Sequence, residues 1–244
     1  MIDLKIGIIV ADEDEYKPFA AAVREGKYAE YSFLGRKGHK FSVKTEKGEA
    51  EVISLLCGIG KVNATAATAH LVDIGCNVIL NYGLSGGING VRRGDICLCD
   101  RFLEHDFDLT GIGYRLCEKP GQEYIYKANG ELIKLFLETV CDARVGTAVS
   151  GDCFVCDETL RNTLKNEFGA MSCDMETAAI AYVCSFSEVP FLALRRISDD
   201  AGADASDSYR EMNTSNEILL SDYVLTFIQR IIDSGFVGKS YEQC

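Results

Sequence analysis

Short apolar runs rich in Ile, Val and Leu alternate with helix-length stretches along almost the whole chain. Leu4 to Val10 is the first such run, followed by an acidic turn at Asp12 to Glu15 and a helix over 16–24. Strands are expected over 30–34, 39–46 and 50–57, then a small-residue helix over 62–74. The run 77–81 is apolar apart from its ends and leads into Gly83-Leu84-Ser85-Gly86-Gly87, expected to be a tight turn or a close backbone approach. Further strands are expected at 96–103, 144–150, 173–176 and 190–197, with helices at 131–141, 158–167, 178–186 and 217–233. Residues 105–125 and 199–208 show no period and are expected to be loops. Strands that are apolar throughout must be covered on both faces. The pattern therefore predicts a single-domain, three-layer α/β/α sandwich around a central sheet, with a core over 4–234 and a short C-terminal tail.

Charge narrows the function. The formal net charge is −12 and there is no basic run. Nucleic acids and anionic membranes attract proteins through clustered Lys and Arg, so neither is an expected partner. No apolar run approaches the roughly 20 residues that a membrane-crossing helix needs. Most of the 11 cysteines lie in apolar stretches, as small buried side chains do. With no N-terminal signal peptide discernible, they fit a reducing cytoplasm. Cys153 and Cys156 form a lone C-x-x-C with no second pair to complete a zinc site, and read as incidental. The three histidines, His39, His70 and His105, are scattered, which gives no support to a metal centre or a Ser-His-Asp triad.

The polar clusters fall just after strands, where open α/β sheets carry their sites. They are Asp12-Glu13-Asp14-Glu15, Gly83 to Gly87, Ser150-Gly151-Asp152-Cys153-Phe154-Val155, Asp174-Met175-Glu176 and Arg195-Arg196-Ile197-Ser198-Asp199-Asp200. Singly, each has a plain structural explanation, such as a helix start, a turn or a core aromatic. Together, carboxylates at strand ends with no histidine beside them suit acid/base work better than metal binding.

Taken in order and spacing from residue 5 to about 230, these segments resemble the methylthioadenosine/S-adenosylhomocysteine nucleosidases of the nucleoside phosphorylase family. The resemblance rests on Lys5-Ile6-Gly7-Ile8-Ile9 with Glu15, Gly58-Ile59-Gly60-Lys61-Val62, Gly86-Gly87, Gly94-Asp95-Ile96, Ser150-Gly151-Asp152 with Phe154, Met175-Glu176 and Ile197-Ser198-Asp199. It implies a mixed central sheet, a homodimer and no cofactor. Asp199 would protonate N7 of adenine. Glu176 would bind the ribose hydroxyls with Met175 beside the sugar, and Glu15 would activate water. Phe154 would stack on the purine, the Val155 backbone would read its edge, and Tyr209 would cover the base. Ile59 would line the 5′ pocket, and Arg195 would support the site beside Ser198. Leu84 and Ser85 depart from the residues the family carries before its Gly-Gly, as does Asp200 after Asp199. The poorly matched segment 102–125 would help form the 5′ pocket, with or without a partner subunit.

The reading is hydrolysis of the N-glycosidic bond of 5′-thio-substituted adenine nucleosides. Three alternatives stand beside it: a phosphate-dependent phosphorylase, a nucleosidase for another adenine nucleoside of the futalosine type, and a non-catalytic nucleoside-binding module. Clustered acids oppose phosphate, and a mere binding module has no need of a water-activating carboxylate.

Overall fold

The computed structural model describes residues 4–214 and 220–240. Ten strands join in one mixed sheet. One side is an open run of β2 (Tyr28–Phe33), β3 (Arg36–Lys44), β4 (Glu49–Leu56), β1 (Leu4–Val10) and β5 (Val78–Gly87). The other side curls on itself. Strand β5 pairs in parallel with β10 (Phe191–Asp199), which pairs antiparallel with β6 (Ile96–Glu104). Strand β6 pairs with β8 (Arg144–Ser150), β8 with β9 (Ser172–Asp174), and β9 returns to β5 at Gly86 and Gly87. Five strands thus close a ring that shares β5 with the open run. The short β7 (Tyr126–Lys127) adds to β6.

Helices cover both faces because the strands are apolar on both. Ile6, Ile8, Val10, Val78 and Leu80 pack against Phe19 of α1 (Glu13–Arg24), Phe136 of α3 (Gly130–Leu137) and Phe227, Ile228 and Ile231 of α7 (Leu220–Ser234). Ile9, Ile53, Leu55 and Ile79 point the other way, the period-two alternation of a strand. They meet Ala64, Ala67 and Leu71 of α2 (Lys61–Asp73) and Ala178 and Ile180 of α5 (Thr177–Phe186). Small residues let α2 lie close to the sheet: a Cβ on Gly7 would stand 2.6 Å from Ile79 Cδ1 and 3.1 Å from Leu71 Cδ1. A smaller core of Val149, Val155, Leu164 and Ala170 seats α4 (Glu158–Phe168).

Four local expectations are corrected. Gly83 to Gly87 is no turn but the second half of β5, paired with β10 and then β9. Residues 199–208 contain the start of a helix, α6 (Ala205–Thr214). The acidic stretch is not a turn ahead of a helix at 16. The helix begins at Glu13 with Asp12 as its cap, so Glu15 stands on its first turn. The helix expected to end near Cys141 stops at Leu137. Of the helix expected over 217–233, residues 217–219 lie outside the described residues. Segment 105–125 is loop apart from a short 3₁₀ turn at Thr110–Ile112. Among the described residues no helix is long and apolar enough to cross a membrane.

Candidate active site

The site forms where β5 changes neighbours. Strand β1 accompanies β5 only from Val78 to Asn81 and then stops. Strand β10 continues beside β5 to Gly86. Past Asn81 one edge of β5 is therefore open, and α1 delivers a carboxylate to it. Asp12 accepts hydrogen bonds from the backbone N–H of Asp14 (2.7 Å) and Glu15 (3.4 Å), which fixes the start of the helix. Glu15 then turns inward, and its Oε1 accepts the Leu84 N–H at 2.9 Å. Gly83 makes room: a Cβ there would lie 2.7 Å from Glu15 Oε2.

Glu15 is buried, and burial pushes its pKa up to about 8, against the lowering pull of the Leu84 N–H and of Arg195. Its environment is apolar enough that the charged form is costly until a positive partner arrives.

Glu176 sits between β9 and α5. Its Oε1 accepts the Gly60 N–H at 2.8 Å, across from the turn before α2. Burial and the nearby Asp174 raise it to about 7. Asp174 itself goes the other way. Burial would raise it, but the Arg195 guanidinium and hydrogen bonds from Ser150 and Thr177 hold it below the ordinary carboxyl value. Arg195 Nε donates to Asp174 Oδ2 at 3.0 Å, and its Nη2 donates to Asn81 and Thr177. Asp174 Oδ1 accepts from Ser150 Oγ at 2.6 Å and from the N–H groups of Glu176 and Thr177, both at 3.0 Å. A buried ion pair thus caps α5 and fixes the backbone that carries Glu176.

Asp199 ends β10. The β10–β5 register slips between Ile197, opposite Ser85, and Asp199, opposite Gly86. The extra residue, Ser198, is a bulge, which re-aims the side chain that follows it. Ser198 Oγ donates to Asp199 Oδ2 at 2.6 Å and the Ala201 N–H to Oδ1 at 2.8 Å. Burial raises Asp199 above the ordinary carboxyl value against these two bonds, with Asp200 adding to the rise. Asp200 thus has an electrostatic effect, and its own Oδ1 accepts the Gly202 N–H.

The three carboxylates surround a cavity of about 360 Å³, ample for a nucleoside. Every residue given a site role from the sequence lines it: Glu15, Ile59, Leu84, Ser85, Phe154, Val155, Met175, Glu176, Arg195, Ser198, Asp199 and Tyr209; the segment 102–125, expected to help form the 5′ pocket, contributes no lining residue within this chain. Phe154 and Tyr209 meet edge to face at 5.6 Å, and Phe154 keeps 43 % of its surface exposed, so one aromatic face is open for a planar ring. Ser85 Oγ is buried without a hydrogen-bond partner, as expected of a group that a substrate or water would satisfy. Leu84 packs on Met212 and Tyr209.

Sequence reasoning missed several lining residues. Asp12 reads with its turn, Asn81 as a strand end and Cys173 as part of a short strand, and Tyr82 has no site role in the sequence reading. Cys153 also lines the cavity, so the C-x-x-C borders the site. Asp174 was marked as an acid at a strand end, but its pairing with Arg195 joins residues 21 apart in the chain and leaves no local signal.

Such an arrangement, acids at both ends of an apolar cavity with an open aromatic face, suits the cleavage of a nucleoside. Comparison with known proteins agrees. The phosphorylase superfamily model matches residues 5–232. A 5′-methylthioadenosine/S-adenosylhomocysteine nucleosidase from Staphylococcus carnosus is 33% identical over 227 residues, 88% of this chain and 97% of that one. An aminodeoxyfutalosine nucleosidase from Campylobacter jejuni is 28% identical over 239 residues, 93% of this chain and all of that one. The crystal structure of a Helicobacter pylori MTAN mutant with 5′-methylthioadenosine in its active site superposes with a TM-score of 0.86 at 26% identity, covering 93% of this chain and 98% of that one. The chain belongs to the phosphorylase superfamily and, within it, to the methylthioadenosine/S-adenosylhomocysteine nucleosidase family of purine nucleosidases, which are N-glycosyl hydrolases.

Proposed function

We propose that this nucleosidase hydrolyses 5′-thio-substituted adenine nucleosides, 5′-methylthioadenosine and S-adenosylhomocysteine, to adenine and the thio-ribose. The observation that carries this reading is that three buried carboxylates, Glu15, Glu176 and Asp199, line one cavity. Asp199 holds a proton more readily than an ordinary carboxyl and gives it to N7. The C1′–N9 bond then breaks, its electron pair leaving with adenine. Glu176 faces the sugar, where negative charge stabilises the oxocarbenium ion. Glu15 takes a proton from water as the water oxygen bonds C1′. A base raised by burial is a strong one once ionised, and the cationic sugar favours its ionised form. The logic parallels the two carboxylates of glycoside hydrolysis.

Phosphate as the nucleophile is disfavoured by the same cavity. Arg195 is the one cation among the described lining residues, and it is paired with Asp174. The relative from C. jejuni supports a second reading, in which the adenine nucleoside carries a futalosine-type 5′ group and the chemistry is unchanged. We further propose a homodimer, since Ile59, Val62 and Ile112 expose apolar surface and Ile59 lines the cavity. A reducing, cytoplasmic setting fits the seven cysteines among the described residues that are buried as small apolar side chains.

The test is to incubate the protein with 5′-methylthioadenosine, S-adenosylhomocysteine, aminodeoxyfutalosine, adenosine and inosine, with and without phosphate, and to identify the sugar released. Free methylthioribose without phosphate is expected. A sugar 1-phosphate, or preference for aminodeoxyfutalosine, refutes the reading. Light scattering tests the dimer, and an active monomer refutes it.

A further inference from the structure

One carboxylate in the cavity wall has no part in the chemistry above. Asp12 lines the same cavity as Glu15, Ile59 and Tyr209, and its charge is near enough to Glu15 and Tyr209 to raise the pKa of both. Its Oδ1 holds the first N–H groups of α1, a duty an uncharged side chain such as Asn performs as well. Its charge is therefore not needed for the fold.

The position of Asp12 along the cavity follows from β5. Asp199 Oδ1 lies 3.2 Å from where a Gly86 Cβ would be, and Glu15 Oε2 lies 2.7 Å from where a Gly83 Cβ would be. Three residues of strand separate these points, about 10 Å at ~3.3 Å per residue. Asp12 follows β1, whose last partner on β5 is Asn81, so it stands at the Glu15 end. A nucleoside with its base at Asp199 extends its 5′ group toward the opposite end, because C1′ and C4′ flank the ribose ring. That end offers an acid, and the one cation among the described lining residues, Arg195, is already paired with Asp174.

We propose that Asp12 is a specificity-determining residue that selects against anionic 5′ substituents and in favour of neutral or cationic ones. The inference rests on the proposed nucleosidase reading and its orientation of the substrate. It adds a charge rule to the 5′ pocket: a free carboxylate there faces Asp12, whereas an ammonium group gains an ion pair. Two unit charges in a part-buried site interact strongly enough to alter binding many-fold.

The experiment compares kcat/KM for three adenosines of similar size, bearing 5′-methylthio, 5′-(2-aminoethyl)thio and 5′-(carboxymethyl)thio groups. Wild type, Asp12→Asn and Asp14→Asn are assayed at pH 7 and low salt. Asn retains the cap, so a purely structural role leaves the substrate ratios alone. The amine is expected to exceed the carboxylate in wild type, and that ratio should fall about tenfold or more in Asp12→Asn, with a much smaller change in Asp14→Asn. A ratio unchanged within about twofold in Asp12→Asn refutes the proposal. An equal fall in both variants also refutes it, because the effect would then belong to the net charge of the helix start. If none of the three nucleosides is cleaved, the reading of function fails, and the inference with it.

Discussion

The buried carboxyl of Glu15 should cost this protein stability at the pH where it works. Its ordinary value of 4.5 and its buried value of about 8 differ by the equivalent of ~5 kcal/mol at ~1.4 kcal/mol per pH unit. The sign follows from which state holds the proton. Below pH 4.5 the side chain is neutral folded and unfolded, and nothing is lost. Between 4.5 and 8 the unfolded chain has released its proton while the native state keeps it, so stability falls as pH rises, and it levels off above 8. About 4 kcal/mol of the loss should fall between pH 5 and pH 8, by the same conversion. Glu15→Gln is nearly isosteric, accepts the Leu84 N–H through its amide oxygen and cannot ionise. Urea unfolding of wild type and variant at pH 5, 6, 7, 8 and 9 reads the effect, because Asp199 titrates in both proteins and cancels, and the Glu176 charge is the smallest of the influences on Glu15. The variant should gain on wild type with rising pH, by ~2–4 kcal/mol between pH 5 and 8, while losing turnover. Parallel stability profiles would refute the claim that burial dominates the environment of Glu15.

Other perturbations have equally definite outcomes. Asp199→Asn should lower kcat by about 10²–10⁴ with unfolding midpoints near wild type, the usual range for one general acid; near-normal turnover removes Asp199 from the mechanism. Gly83→Ala puts a methyl 2.7 Å from Glu15 Oε2 and should displace that carboxylate, cutting activity at least tenfold while circular dichroism stays native; unchanged kinetics would show that the side chain has room to yield. Asp174→Ala leaves Arg195 charged and unpaired in the interior, and should destabilise the fold by ~3–5 kcal/mol in urea unfolding. A loss under 1 kcal/mol would refute the claim that Asp174 is what makes the buried Arg195 charge tolerable.

The elements were legible where one physical signal ruled. Apolar runs such as Leu4 to Val10 and Arg144 to Ser150 became strands, and the Ala- and Thr-rich stretch after Gly60 became the closely packed α2. What local sequence could not express was pairing. Gly83 to Gly87 carries the residues of a turn, yet it is held extended because β10 and β9 flank it. The start of α6 was hidden by the polar composition of 199–208, where helix and loop chemistry look alike. The candidate residues were marked by a pattern spread over the chain, and each of those given a role lines the one cavity. Asp12 escaped notice because an N-cap acid is an ordinary helix signal. The Asp174–Arg195 pair escaped because it depends on how β9 and β10 are placed in the ring.

The gap beside β5 leaves one amide in an unusual position. The Leu84 N–H is satisfied by the Glu15 carboxylate rather than by a neighbouring strand, although it belongs to a central strand of the sheet. Its deuterium uptake therefore depends on a side chain from another element instead of on strand separation. Followed residue by residue, that single exchange rate records when α1 lifts away from β5 and when an occupied cavity holds it down, which makes Leu84 an internal probe of site closure with no label attached.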